Sequence, residues 1–215
     1  VSIAEAGGIA PLVALFDGGS TEAIEQAAGA LLTLVLQNVP NQNSIAGEAV
    51  AGAIDAELVG TGINVSARLA TELSGFGLQH DMADTLVVAL SQSGTTTDTN
   101  RTVDLVRARG ARVVAIVNRR NSDLVDRADG VLYTSDGRDV EMSVASTKAF
   151  YAQAVAGNLL AVAVADAAGA PGSPDRAELL ASLRDLPEVM VEVLALRDRY
   201  VEQRQRSTKV VFDHH

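Results

Sequence analysis

Cysteine is absent from the 215 residues, and so is tryptophan. The first absence excludes disulfides, thiolate metal sites and a cysteine nucleophile. Aromatic residues make up only 3% of the chain and no basic run accompanies them, so there is no stacking set for nucleic-acid bases. Cationic residues are outnumbered: 17 Lys and Arg against 27 Asp and Glu leave a formal net charge of −10. That balance argues against nucleic acid as a general partner. The three histidines, His80, His214 and His215, have no ligand spacing, and neither a metal nor a cofactor is expected. No signal peptide is recognisable. No apolar run is long and clean enough to span a bilayer; Ala154–Ala165 comes nearest, and its Ala and Gly content with Asn158 reads as a buried helix. A cytoplasmic setting without membrane contact is the expectation.

What the chain does have is apolar mass, 47% of residues, enough for a real core in one or two domains. Its organising stretch is Thr85–Asp98. Leu86-Val87-Val88-Ala89-Leu90 is too short for a helix and β-branched enough for a buried parallel strand. Ser91-Gln92-Ser93-Gly94-Thr95-Thr96-Thr97 follows, a hydroxyl-rich turn with one glycine, and then a helical pattern through Val103, Leu105 and Val106. Strand, hydroxyl loop and helix start aim backbone N–H groups and the positive end of a helix at one point, which suits a phosphate monoester. No Lys stands where a nucleoside-triphosphate loop requires one. The same pattern also fits an ordinary strand-to-helix turn capped by Ser or Thr.

Taken in order, residues 1–50 read as helices, with a turn at Asn38–Asn43. Residues 44–60 form an Ala-rich helix closing at Gly60, Ile63–Ala67 alternates like a short strand, and Ala70–Ser74 makes a helical turn or two. After the hydroxyl loop come a helix Asp98–Arg109 stopped by Gly110, a strand Arg112–Val117, a short helix to Ala128 and a strand Gly130–Thr134. Strands alternating with helices predict a parallel sheet, whose ligands bind at the carboxyl ends of the strands. The Ser91–Thr97, Asn118–Asn121 and Thr134–Ser146 loops all fall at that edge. Asp136–Asp139 reads as a turn, a long helix runs to about Ala168, and Asp175–Gln205 is mostly helical, with Pro187 starting or kinking a second segment. Lys209–Phe212 reads as the start of another strand.

Two family resemblances are carried by particular residues. Ile3–Leu15 and Glu25–Leu31 resemble one armadillo repeat, and one unit of such an array cannot bury its apolar face alone. SQSGTTTDT at Ser91–Thr99, IVN at Ile116–Asn118, LYT at Leu132–Thr134 and VASTKAF at Val144–Phe150, in that order, resemble the sugar isomerase (SIS) domain. The resemblance is greatest to the first SIS subdomain of glutamine–fructose-6-phosphate aminotransferase, the isomerase half of glucosamine-6-phosphate synthase. It implies that Ser91, Gln92, Ser93 and Thr96 bind a sugar phosphate, and that Val144 and Ser146 touch the sugar. Ser146 and Thr147 also suit capping of the following helix. Lys148 reads as a structural charge rather than a Schiff-base lysine, and Asp139 and Glu141 as solvated loop acids. No catalytic residue is assigned.

The sequence departs from the family in several places. The family's small-residue loop after its first strand, a source of further sugar contacts, should fall near Asn43–Gly47, where NQNSIAG stands. The strand before it should lie around 36–42, where Pro40 and the Asn residues oppose a central strand. A second SIS subdomain and a glutaminase domain are not recognisable. The expected architecture is therefore an α/β, parallel-sheet, three-layer SIS-like (flavodoxin-like) domain over 47–208. An armadillo-like helical segment over 1–46 precedes it, and a truncated strand or tail over 209–215 follows. The expected function is binding of a phosphosugar such as fructose 6-phosphate or glucosamine 6-phosphate by a homodimer paired through the Ala-rich helices 44–60 and 149–168. A dimeric aldose–ketose phosphosugar isomerase and a fused scaffold without small-molecule activity are the alternatives.

Overall fold

Among the described residues three apolar runs build the sheet, and their order follows from their connections. The computed structural model describes residues 39–135 and 147–195, with side chains over 45–135 and 150–192. Strands β1 (Leu86–Ser91), β2 (Arg112–Val117) and β3 (Gly130–Tyr133) lie in the order β1-β2-β3, every pair parallel. Helix α3 (Thr97–Arg107) links β1 to β2, and α4 (Asp123–Arg127) links β2 to β3. Ahead of the sheet come α1 (Val39–Glu57) and a short turn of helix α2 (Ala70–Glu72), which widens into a π-helical turn at Leu73–Gly77. After it comes α5 (Thr147–Ala168). The chain divides into two compact units, one running to Ser173 and one beginning at Pro174. The second unit holds α6 (Arg176–Ala195).

The pleat sends alternate residues to opposite layers. Leu90, Ile116 and Leu132 stand in register and pack with Val50, Ile54, Ala156 and Leu160 of α1 and α5. Ala89, Ala115 and Val131, one residue along, pack with Val103 and Val106 of α3 and Leu124 of α4. The result is the expected three-layer α/β sandwich. Ile116, Val113, Val117 and Leu124 are completely buried. Each such side chain contributes about 1.5–3 kcal/mol relative to an exposed one.

Both glycine stops of the sequence reading hold. Gly60 and Gly110 have φ of 82° and 93°, the left-handed conformation that ends a helix. Other expectations need correction. The turn expected over Asn38–Asn43 is helical from Val39 onward, because Pro40 falls in the first turn, where a missing N–H costs nothing. Ile63–Ala67 is not a strand; no described strand lies beside it, and only Val65 packs onto the core. Pro187 does not start a new segment, since α6 continues through it. Phe150–Ala168 is long and apolar enough to cross a bilayer by length and composition only, and its buried residues agree with the expected buried helix. Its apolar character has a local use: Ala156, Leu160, Ala161 and Ala165 form one wall of the core. The armadillo-like Ile3–Leu31 and the strand-like Lys209–Phe212 lie outside the described residues.

Candidate functional site

The hydroxyl loop leaves β1 at the carboxyl edge of the sheet and is shaped by one glycine. Gly94 has φ of 65°, and an added Cβ would overlap the Ser122 hydroxyl and press on Val117 at 3.0 Å. Only glycine fits, by conformation and by space. The buried Ser91 hydroxyl accepts the Gly94 N–H at 3.0 Å, closing the turn from inside. Ser93 Oγ accepts the Thr95 N–H at 3.2 Å and the Thr95 hydroxyl at 3.0 Å. Thr96 precedes α3 in extended conformation, and its side chain makes no capping bond. An ordinary Thr-capped turn is thus not what the chain adopts. The first N–H groups of α3 have no intrahelical acceptor, and Thr95 to Asp98 are exposed beside them. Ser and Thr hydroxyls and the first amides of α3 thus lie together at the helix N-terminus, a set of groups suited to an oxyanion.

The other strand ends join this cup. Gln92 O accepts the N–H groups of Asn118 at 3.2 Å and Arg119 at 3.3 Å. Asn118 Oδ1 accepts the Thr134 hydroxyl at 3.4 Å, and the Thr134 N–H donates to Val117 O at 3.1 Å. The SQSG, IVN and LYT segments, separated in sequence, therefore meet at one edge. Arg120 stacks on Tyr133, 4.2 Å from the ring centroid. Asn121, at φ 53°, supplies the left-handed turn of that loop, a conformation Asn tolerates better than most residues.

Four of the six residues expected to bind ligand, Ser91, Gln92, Ser93 and Thr96, are brought together here. Val144 and Ser146 fall outside the described residues, as do Asp139 and Glu141. Lys148 lies in the first turn of α5. At Asn43–Gly47, where the family resemblance places a sugar-contacting loop, the chain is helix. Glu48 follows on the same helix, and partial burial raises its carboxyl pKa.

Sequence reasoning missed the support behind the cup. Gly94 O accepts both Asn100 Nδ2 at 3.2 Å and the Leu124 N–H at 3.0 Å, so α3 and α4 both grip the turn. The available signal was Asn100 itself, a poor helix former among the first residues of α3. At the opposite edge, Asp129 joins three elements. It accepts the Val113 N–H at 2.8 Å and pairs with Arg107 at 2.9 Å and Arg112 at 3.4 Å. The Val113 hydrogen bond foremost, with the two guanidinium groups, outweighs desolvation and lowers its pKa.

Residues 53–163, just over half of the chain, match the SIS domain model. Glutamine–fructose-6-phosphate aminotransferase (isomerizing) of Corynebacterium glutamicum is 47% identical over 110 residues, 51% of this chain and 17% of that protein. The same-named protein of Gloeobacter violaceus is 38% identical over 124 residues, 58% of this chain and 20% of that protein. The match thus spans a fifth or less of these relatives. Among solved structures, the C-terminal domain of the aminotransferase from Francisella tularensis superposes with a TM-score of 0.63 at 27% identity, covering 75% of this chain and 44% of that one. A protein provisionally described as a phosphosugar isomerase, from Silicibacter pomeroyi, gives a TM-score of 0.54 at 25% identity, covering 84% and 52%.

Proposed function

The chain belongs to the SIS domain family, and on that premise we propose that it binds a phosphosugar, with the phosphate held in the Ser91–Thr96 cup. The observation that carries this reading is the glycine-shaped turn that sets Ser93 and Thr96 beside an uncapped helix N-terminus. Ser91 acts from within, fixing the turn through the Gly94 N–H. Gln92 holds the neighbouring loop through its carbonyl. Ser93 and Thr96 offer hydroxyls, and the first amides of α3 offer the helix dipole, without a cationic side chain. Val144 and Ser146 contact the sugar in this proposal. Fructose 6-phosphate and glucosamine 6-phosphate are the ligands favoured by homology to the SIS region of the aminotransferases. The domain is taken to run over residues 47–208. Two copies pair through the outward faces of the Ala-rich helices α1 and α5, where Ala56, Tyr151 and Leu159 are exposed.

Titration calorimetry with fructose 6-phosphate and glucosamine 6-phosphate tests the reading. Saturable binding by the wild-type chain that is lost in Ser93→Ala/Thr96→Ala supports it. Absence of heat from a folded wild-type protein at millimolar ligand, about the weakest affinity worth assigning, counts against it.

A further inference from the structure

Two of the buried polar atoms left without a hydrogen-bond partner among the described residues flank the same glycine. Asn100 Oδ1 belongs to the side chain whose Nδ2 grips Gly94 O. Ser122 Oγ is the atom that a Cβ on Gly94 would overlap. The residues are 6% and 3% exposed, so water outside the protein satisfies neither. Their chemistry is complementary: an amide oxygen only accepts, and a hydroxyl can donate. The orientation of the Asn100 amide is itself fixed, because a carbonyl oxygen facing Gly94 O would be repelled, whereas the NH2 is bound.

Residue Gly94 is thereby clamped at both of its peptides. Its N–H, in the Ser93–Gly94 peptide, is held by Ser91 Oγ, and its carbonyl, in the Gly94–Thr95 peptide, by Asn100 Nδ2 from α3 and the Leu124 N–H from α4. Flanking amides that would face a phosphate stay in place only if these two peptides do not rotate. Preorganisation of that kind lowers the cost of ordering the site on binding.

We infer that Asn100 is a positioning residue for the anion cup. With Ser122 as the donor to its free oxygen through one buried water, it locks the Gly94–Thr95 peptide in the orientation that presents the Ser93–Thr96 amides and hydroxyls to ligand. The inference rests on the phosphosugar reading for its ligand, and on the apo structure alone for the lock. Asn100 touches no ligand atom in this account; it acts through the backbone of Gly94.

The test uses the full chain and two readouts. Amide exchange by NMR on the apo protein follows the Gly94 and Leu124 N–H groups, with Val114 and Ile116 of β2 as internal standards. Calorimetry with fructose 6-phosphate follows affinity. Asn100→Leu keeps the branched outline of the side chain and removes the clamp. Exchange at Gly94 and Leu124 should quicken about tenfold, the worth of one buried hydrogen bond. The β2 amides should keep their rates, and affinity should fall by a similar factor. Ser122→Ala should move both readouts in the same direction by less. Unchanged exchange in Asn100→Leu overturns the lock. Faster exchange with unchanged affinity overturns the positioning role. If Asn100→Leu does not fold, Asn100→Asp, which cannot donate to Gly94 O, is judged by the same criteria. If the wild-type chain binds no fructose 6-phosphate, the phosphosugar reading fails, and the exchange rates alone decide whether Asn100 holds the turn.

Discussion

At the scale of single residues, two positions concentrate the account. Gly94 combines a left-handed φ with a space too small for a methyl group. Gly94→Ala should lower stability by about 2 kcal/mol or more in urea denaturation, from backbone strain and steric overlap together. It should also abolish phosphosugar binding. Trimming the obstacle in Gly94→Ala/Ser122→Gly should recover part of the stability. Asp129 shows the electrostatic counterpart at the far edge of the sheet. Its pKa is lowered in the folded protein, so its contribution is present above the unfolded carboxylate value, near 3.9. That contribution is lost as pH falls through the lower, folded value. Asp129→Asn should therefore be less stable than wild type at neutral pH, and the gap in midpoint should close on acidification. A gap that persists unchanged at low pH would show that the carboxylate charge is not what matters there.

At the scale of elements, the sheet and its crossover helices were legible and the margins were not. The three strands announce themselves as short β-branched runs, and Gly60 and Gly110 mark stops that the backbone confirms through their positive φ. The start of α1 was hidden because Asn and Pro are read as turn formers, yet Pro40 in a first helical turn is compatible with both. Ile63–Ala67 alternates without being a strand, because alternation reports one half-buried face and not a hydrogen-bonded neighbour. The turn residues Ser91, Gln92, Ser93 and Thr96 were singled out by the motif, whereas Asn100 and Ser122 were not. Their importance comes from meeting Gly94 across the fold, a relation no local pattern encodes. The packing of α1 on α5 is a further case. Gly157 faces Val50 so closely that an added Cβ would overlap its methyl group. Gly157→Ala should cost about 1–3 kcal/mol by overpacking, since a helical valine cannot rotate away. In a Val50→Ala background the same change should cost less. Additive effects in that double-mutant cycle would contradict the close approach.

At the scale of the whole molecule, the chain carries a SIS domain at residues 53–163, and the stretch it shares with its curated relatives spans a fifth or less of them. Its site is therefore best judged by what this chain binds on its own. The proposed pairing through α1 and α5 predicts a dimer by light scattering at tens of micromolar, above ordinary dimer dissociation constants. A monomer at that concentration would remove those helices as an interface. Acidity is the other molecular property with a consequence. A chain of net charge −10 repels anions at long range. If the cup binds through local amides and hydroxyls, moderate salt should strengthen phosphosugar binding by screening that repulsion.

The central claim is that the phosphate of a sugar sits in the turn between β1 and α3. Its most direct test is a 1H–15N chemical-shift titration of the labelled chain with fructose 6-phosphate, run beside unphosphorylated fructose. The account predicts saturable shifts centred on the amides of Ser93 to Asp98, with fructose alone leaving them unmoved. Shifts centred elsewhere, or equal shifts with fructose, would contradict it.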